Sequence, residues 1–173
     1  MVVTTLILVV VSAMLACAVA YYATNITMTR TRQEEARITK QRIWANSTGD
    51  VAAFKLQNLG GKDFRIEKII VRNVDSPWSN VYYHRVPEGT TFTGVMNITS
   101  PEKLTGPSVA IHGRLYTQAS TDIPLASGGE ILFYVKDLAN IRLDDIGIAC
   151  SIAVVTANGQ YAVECMVGYA DSQ

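Results

Sequence analysis

Two histidines are the side chains of this 173-residue chain best suited to acid–base catalysis at neutral pH. His84 lies in the run Tyr82-Tyr83-His84-Arg85 and His112 in a second run of alternating polarity, which predicts that both lie on exposed faces of a sheet. The sequence contains no His-x-x-x-His, Cys-x-x-Cys or Gly-x-Ser-x-Gly pattern and no phosphate-binding glycine loop. We therefore predict that the protein is not an enzyme and uses no cofactor. An exported enzyme with a concave site around one histidine is the minor alternative.

Oxygen-bearing side chains surround one predicted loop and could coordinate a hard cation such as Ca²⁺. They are Asp137, Asn140, Asp144 and Asp145. Their spacing does not match an EF-hand, and carboxylates clustered in a loop are more often simply hydrated. No metal site is predicted.

The chain has three cysteines, and two of them flank the strongest hairpin signal in the sequence. Asn158-Gly159 favours a two-residue type I′ turn. That turn places Cys150 and Cys165 one diagonal step apart on the same face, and a longer turn would place them directly opposite. A disulfide between them is possible if their Cα atoms approach closely, and it would imply an oxidising compartment. Two reduced, buried thiols are the alternative, and Cys17 is predicted to be a small buried apolar residue.

Three Asn-x-Ser/Thr sequons could accept N-linked glycans. They begin at Asn25, Asn46 and Asn97. Asn46 and Asn97 lie in predicted loops or at element ends, whereas Asn25 lies in a predicted helix where packing could shield it.

The N-terminal 29 residues contain no charged side chain. Residues 2–23 are long enough to cross the hydrocarbon core of a bilayer, which takes about 20 apolar residues. Valine, isoleucine and leucine occur on every side of the projected helix. Such a helix must be buried on all sides.

Four interpretations of this segment are open. Ala18-Val19-Ala20 resembles the cleavage site of a secretory signal, but no basic residue precedes the apolar run. Met14-Leu15-Ala16 before Cys17 resembles a lipoprotein leader, although the chain stays apolar after the cysteine. In a plain membrane anchor, the basic residues from Arg30 onward would tend to keep that flank cytoplasmic. We favour the fourth interpretation, in which a short basic leader has already been removed and the helix is retained. It would lie in the membrane before assembly and in a polymer afterwards.

The first glycine is Gly49 and the first proline is Pro77, so all 12 glycines and five prolines lie in the remaining part of the chain. Because these residues break helices, the sequence predicts helix up to about residue 45, with residues 30–44 as a hydrated helical stem. On that stem Glu34 could pair with Arg30 and Arg37. We therefore divide the chain into an assembly helix and stem (1–47) and a head domain (48–173).

From Asp50 the period of the apolar residues becomes twofold, which is typical of half-buried strands. The run from Phe64 to Val71 keeps this pattern only if one residue near Glu67-Lys68 is a bulge. Seven or eight strands are predicted. The predicted fold class is thus α+β, with a long N-terminal hydrophobic α-helix followed by an antiparallel immunoglobulin-like β-sandwich.

The N-terminal run VTTLILVVVSA (3–13) resembles the mature start of archaeal type IV pilins and archaellins after removal of a class III leader. The segment FKLQNLGGKDFRIEKI (54–69) is similar to the first two strands of their β-domains. Bacterial type IV pilins carry Glu at the fifth mature position, where this chain has Thr5, and this difference favours the archaeal branch. The mature start would then be Met1.

This resemblance implies an extracellular, cell-surface filament in which N-terminal helices form the core and β-domains coat it. N-linked glycans are common on such surfaces. The function we expect is that of a structural subunit of a pilus-like filament with a role in surface adhesion. An archaellin of a motility filament and a membrane-anchored immunoglobulin-like binding module are the alternatives.

The expected main partner is the protein itself, as a helical homopolymer. A formal net charge of zero gives no electrostatic reason to expect a nucleic-acid partner. The residues expected to mediate self-assembly are Leu6, Ile7, Leu8, Val10, Val11, Met14, Leu15 and Val19.

Overall fold

The computed structural model describes residues 2–170, apart from the side chains of Arg30 and Thr31. Met1, the expected mature N-terminus, lies outside the described residues. The chain begins with one long helix, α1 (Val2–Arg32), which contains no glycine or proline. Three short 3₁₀ turns follow at Trp78–Asn80, Pro101–Lys103 and Leu143–Asp145. The strands are β1 (Ala36–Asn46), β2 (Gly49–Asn58), β3 (Phe64–Val71), β4 (Val74–Ser76), β5 (Val81–Arg85), β6 (Ser108–Ile111), β7 (Arg114–Gln118), β8 (Ile123–Leu125), β9 (Glu130–Lys136), β10 (Ala149–Thr156) and β11 (Gln160–Tyr169).

The strands form one hydrogen-bonded arrangement in the order β4-β3-β10-β11-β1-β2-β9-β5-β7-β6, with β8 paired to β3. Within the described residues, the pairs are antiparallel except for β1 and β11, which run parallel where Ile43–Ala45 meet Val167–Tyr169. The predicted α+β class, an apolar N-terminal helix followed by a mostly antiparallel β-domain, is confirmed. The finer prediction of an immunoglobulin-like sandwich is not confirmed, and the prediction of seven or eight strands is wrong, since residues 2–170 form 11.

The predicted helical stem is wrong. The helix ends at Arg32, and residues 36–46 form strand β1, which pairs with β2 from end to end except at a bulge at Lys40 and Gln41. Ile43, Trp44 and Ala45 are buried there. Pairs of opposite charge spaced three or four residues apart contribute only a few tenths of a kcal/mol to a helix. Burial of one large apolar side chain contributes about 1.5–3 kcal/mol, so the strand is favoured.

The main apolar core lies between the β1–β2–β9 part of the sheet and the β3–β10–β11 part. Phe54 and Phe133 stack in it with ring centroids 5.1 Å apart, and both are fully buried. Ile66, Ile152 and Val154 face them from β3 and β10. The two parts of the sheet therefore bury one face each against the other.

A second core lies on the opposite face of β2 and β9, where the connection between β5 and β6 (residues 86–107) covers the sheet. Phe92, Met96 and Leu104 of this connection pack on that face. Polar side chains of the sheet reach up to its backbone: the Tyr82 hydroxyl donates to the Leu104 carbonyl (3.0 Å) and the Tyr134 hydroxyl to the Asn97 carbonyl (2.9 Å). Strands β2 and β9 are consequently buried on both faces.

A buried ion pair also holds this connection to the sheet. Lys55 Nζ lies 3.1 Å from Glu130 Oε1, and both side chains are almost completely buried. The backbone N–H of Phe92 donates to Glu130 Oε2 (2.9 Å), and Lys55 donates to the Phe92 carbonyl (3.3 Å). Because each charge has a partner and further hydrogen bonds, the pair can be tolerated in the interior.

Candidate functional site: an exposed apolar helix

The large apolar side chains of α1 are all exposed. The eight residues predicted to mediate assembly have between 47% (Val10) and 69% (Met14) of their surface accessible; they are Leu6, Ile7, Leu8, Val10, Val11, Met14, Leu15 and Val19. They occur on every side of the helix. A single contact face would therefore leave part of them in water, and only an apolar medium or several neighbouring helices can cover them all.

Five hydroxyl side chains of the apolar helix donate hydrogen bonds to its own backbone. Thr5 Oγ1 donates to the Val2 carbonyl (2.8 Å), and Ser12 Oγ donates to the Val9 carbonyl (2.9 Å). Near the C-terminal end, Thr24, Thr27 and Thr29 each donate to the carbonyl four residues earlier. These hydroxyls can enter an apolar environment without an unmatched donor, which would otherwise cost free energy.

The helix is long enough and apolar enough to cross a membrane, from Val2 to Thr29. Those 28 residues span about 42 Å at 1.5 Å per residue, whereas a hydrocarbon core is about 30 Å thick. Tyr21 and Tyr22 lie where the most apolar part ends, with their rings in a T-shaped arrangement and the ring centroids 6.1 Å apart. Amphipathic rings favour the interface between lipid and water.

Because β1 pairs with β2 and β11, the head domain includes residues 36–47 as well as 48–170, and this larger head is complete without the helix. Both of its cores are built from residues between Ile38 and Ala170, and the whole apolar window of α1 is exposed. The domain can therefore fold on its own burial of apolar surface. The helix contributes nothing to that burial, so its apolar surface needs another explanation.

The structure places the three sequon asparagines in different surroundings. Asn25 lies in α1 and is exposed. Asn46 ends β1, and its Oδ1 accepts hydrogen bonds from the backbone N–H (3.0 Å) and the hydroxyl (2.8 Å) of Thr48. Asn97 lies in the connection over the second core, and the threonine of its sequon, Thr99, is only 6% exposed. The sequons at Asn25, Asn46 and Asn97 remain predictions as glycan sites.

A cavity of about 630 Å³ lies between the β1–β2 turn and the connection at residues 86–107. Both Asn46 and Asn97 line it, together with the basic side chains Arg42, Lys103 and His112. A glycan on either asparagine would therefore lie over the same surface of the head.

Cys150 and Cys165 lie directly opposite each other on β10 and β11. The connecting turn is longer than predicted, since the last paired residues, Val155 and Gln160, have four residues between them, and neither Asn158 nor Gly159 has a positive φ. The prediction of a two-residue type I′ turn is wrong, and the longer turn produces the direct alignment. Both cysteines are free thiols in the structure, and burial raises the pKa of Cys165 to about 11. Cys17 is exposed on α1 rather than buried within the chain.

The residues considered for catalysis or metal binding do not form a site. His84 lies on β5, with Nδ1 2.8 Å from the Leu115 carbonyl oxygen. His112 was predicted on a strand but occupies the tight turn between β6 and β7, with φ of 45°. Over residues 2–170, no group of three or more His, Cys, Asp or Glu side chains is placed to hold a metal ion.

The loop with four oxygen-bearing side chains is occupied by an arginine from another turn. Arg72 Nη1 donates to the Asn140 carbonyl (2.7 Å) and lies 2.7 Å from Asp145 Oδ2. The hydrogen bond from Arg72 lowers the pKa of Asp145. Of the four side chains considered, Asp145 thus binds a guanidinium of the chain itself, and Asn140 contributes its backbone carbonyl.

No model of a known protein family matches this chain, and a comparison with curated proteins finds no relative. The fold and the surface of the chain itself must therefore support any functional assignment.

Proposed function

We propose that this protein is a structural subunit of an extracellular, archaeal type IV pilus-like filament with a role in surface adhesion. Its subunits would polymerise through α1, and the β-domains would coat the filament. The observation that carries this proposal is the exposed apolar helix of α1 beside a head domain whose own cores are complete.

The hydrophobic effect would hold the assembled filament together, because a subunit that left it into water would expose α1. Each of the eight apolar side chains named above contributes about 1.5–3 kcal/mol when it is moved from water to an apolar environment. Because they surround the helix, one copy must contact several others. A repeated lateral contact that does not close on itself produces a helical polymer.

A membrane stage would precede assembly. The length and composition of α1 suit insertion into a bilayer. Lipid and a bundle of identical helices are both apolar environments, so a subunit can leave one for the other without exposing α1 to water.

A charge in the middle of the helix tests this mechanism. Val10→Asp or Leu15→Asp should abolish filaments, because an unpaired buried carboxylate costs several kcal/mol in every copy. Filaments are scored by negative-stain microscopy of material sheared from the cells. Leu115→Asp is the matched control: Leu115 is exposed in the head to the same extent (60%) as Leu15 in the helix (61%).

The head should fold equally well in all three variants, with a melting temperature close to that of the wild type. Normal filaments from Val10→Asp or Leu15→Asp would contradict the proposal. Loss of filaments in Leu115→Asp as well would locate the critical contacts in the head instead.

The same helix also supports a second candidate, a membrane-anchored binding module that acts as a monomer. Shearing distinguishes the two: a filament subunit is released with fibres, and an anchored module stays with the membrane fraction.

A further inference from the structure

The three residues that connect α1 to β1 are held by side chains of the β10–β11 hairpin. Asn158 Nδ2 donates to Glu34 Oε2 (2.7 Å), and the Thr156 hydroxyl donates to Glu34 Oε1. The Tyr161 hydroxyl donates to the backbone carbonyl of Glu34 (3.2 Å). Glu34 therefore receives three hydrogen bonds from one hairpin more than 120 residues away in sequence. Two of them go to a carboxylate, which makes them stronger than neutral ones.

The turn between β2 and β3 holds the same connection from another direction. The backbone N–H groups of Leu59 and Gly60 both donate to the Glu35 carbonyl, at 2.7 and 3.1 Å. A Cβ atom on Gly60 would lie 2.4 Å from the Gln33 carbonyl oxygen and 2.6 Å from the Glu35 nitrogen. Only glycine allows the turn to approach the connection this closely.

A buried asparagine fixes the shape of that turn. Asn58 is fully buried; its Oδ1 accepts from Gly60 N–H (3.0 Å) and its Nδ2 donates to the Lys62 carbonyl (2.9 Å). Asn58-Leu59-Gly60-Gly61 and Asn158-Gly159, the two turn motifs that stand out in the sequence, thus converge on residues 33–35. We call this group the linker socket: Glu34 and Glu35 with Leu59, Gly60, Thr156, Asn158 and Tyr161.

We propose that the linker socket anchors residues 33–35 to the head and so fixes the point and direction from which the chain leaves it toward α1, with Glu34 as the positioning residue. The consequence for a filament rests on the proposed function: each head would be attached to its own helix in the same way in every copy. Equivalent attachment is what a regular helical polymer requires, because all copies must make the same contacts.

The anchoring can be measured in the full-length protein in detergent micelles, before any assembly. Spin labels are placed at two exposed positions, Gln33→Cys beside the socket and Glu88→Cys in the head, in a Cys17→Ser background. Pulsed dipolar spectroscopy then gives the distribution of distances between the labels. The raised pKa of buried Cys150 and half-buried Cys165 disfavours their labelling, and the Cys17→Ser protein alone measures any background.

The wild-type socket should give a narrow distribution. Glu34→Ala should widen it about twofold, because residues 33–35 regain the freedom of an unanchored chain. Glu34→Gln should give an intermediate width, since its amide oxygen can still accept from Thr156 but its NH₂ cannot accept from Asn158. Glu35→Ala is the matched control: it contributes only its backbone carbonyl, so the distribution should stay narrow.

A second pair of variants tests the other turn. Gly60→Ala should widen or shift the distribution, whereas Gly159→Ala should not, because its Cβ would meet only the Tyr161 ring at 3.8 Å. A wild-type distribution as broad as that of Glu34→Ala would overturn the proposal, as would a Glu34→Ala distribution as narrow as the wild type. Narrow distributions in a protein that forms no filaments would leave the socket intact and refute the proposed function.

Discussion

Helix α1 and the β-domain differ in the exposure of their apolar residues. In the domain, β2 and β9 are covered on both faces, and polar groups such as Lys55 and Glu130 are enclosed with their partners. In α1, residues as large as Leu6 and Met14 are more than 60% exposed. Both regions are rich in apolar residues, but only the domain folds them against each other. The difference indicates that the domain is adapted to water and the helix to surroundings that other molecules provide.

The two regions should differ most in how much the loss of an apolar side chain lowers the stability of the head. Phe133→Ala should lower the free energy of unfolding of the head by about 3–5 kcal/mol, because it empties a packed site beside Phe54. Leu8→Ala removes an exposed side chain and should change it by less than about 0.5 kcal/mol. Urea denaturation in detergent micelles, followed by tryptophan fluorescence, measures both, since both tryptophans lie in the head. If Leu8→Ala destabilised the head as much as Phe133→Ala, the head would depend on the helix.

The buried ion pair tests how strongly a polar group inside the domain depends on its partner. Glu130→Leu alone should cost about 3 kcal/mol, because it leaves the Lys55 charge buried without a partner. The double variant Lys55→Met/Glu130→Leu should recover most of that loss, since an apolar pair of similar volume can replace a buried ion pair. A double-mutant cycle measures the coupling. Simple additivity of the two single variants would show that Lys55 and Glu130 are not energetically paired.

The smallest expected effect concerns Asp50, a buried carboxylate whose Oδ2 has no hydrogen-bond partner among the described residues. Burial raises the pKa of Asp50 to about 6, although Leu138 N–H donates to its Oδ1 (3.1 Å). Because its pKa is higher in the folded than in the unfolded state, folded Asp50 binds its proton more tightly. The free energy of unfolding should therefore fall as pH rises from about 4 to about 6.

Asp50→Asn should remove this contribution, of about 1 kcal/mol when solvent screening is allowed for. The measurement is urea unfolding of both proteins at several pH values. The contributions of the other carboxylates cancel when the free energies of unfolding of the two proteins are subtracted. Identical pH dependence of the wild type and Asp50→Asn would refute the assignment.

Elements defined by a local pattern could be predicted from the sequence. The uninterrupted apolar run predicts α1, and twofold alternation predicts β10 and β11. The bulge predicted near Glu67-Lys68 is confirmed: Val155 pairs with Lys68 and Thr156 with Ile66, so Glu67 has no partner on β10. In each case the signal lies within one continuous stretch of the sequence.

Elements that depend on distant residues could not be predicted. Strand β1 contains no glycine or proline and begins beside charge pairs at helical spacing, which favours a helix. It forms a strand because β2 and β11 pair with it. The failure of Ile38, Ile43 and Trp44 to form a helical stripe was the available signal. The run of alternating polarity around His112, from Val109 to Tyr116, predicts one strand, but a turn at His112-Gly113 divides it into β6 and β7. Alternation does not reveal the positive φ values of that turn.

Of the two candidate sites, one could be predicted from the sequence and the other could not. The assembly helix is visible in composition alone, because its apolar residues are contiguous. The linker socket joins Glu34 to Asn158 and Glu35 to Gly60. Each contributing turn can be recognised as a turn, but their convergence on one linker requires the tertiary structure.

The most direct test of the central claim is made on native surface material. Fibres sheared from the cells are examined by negative-stain microscopy, and their subunit is sequenced from its N-terminus. The account predicts fibres whose subunit retains residues 2–29. A native subunit that starts beyond Ala20, or an intact chain found only as single molecules in the membrane, would contradict it.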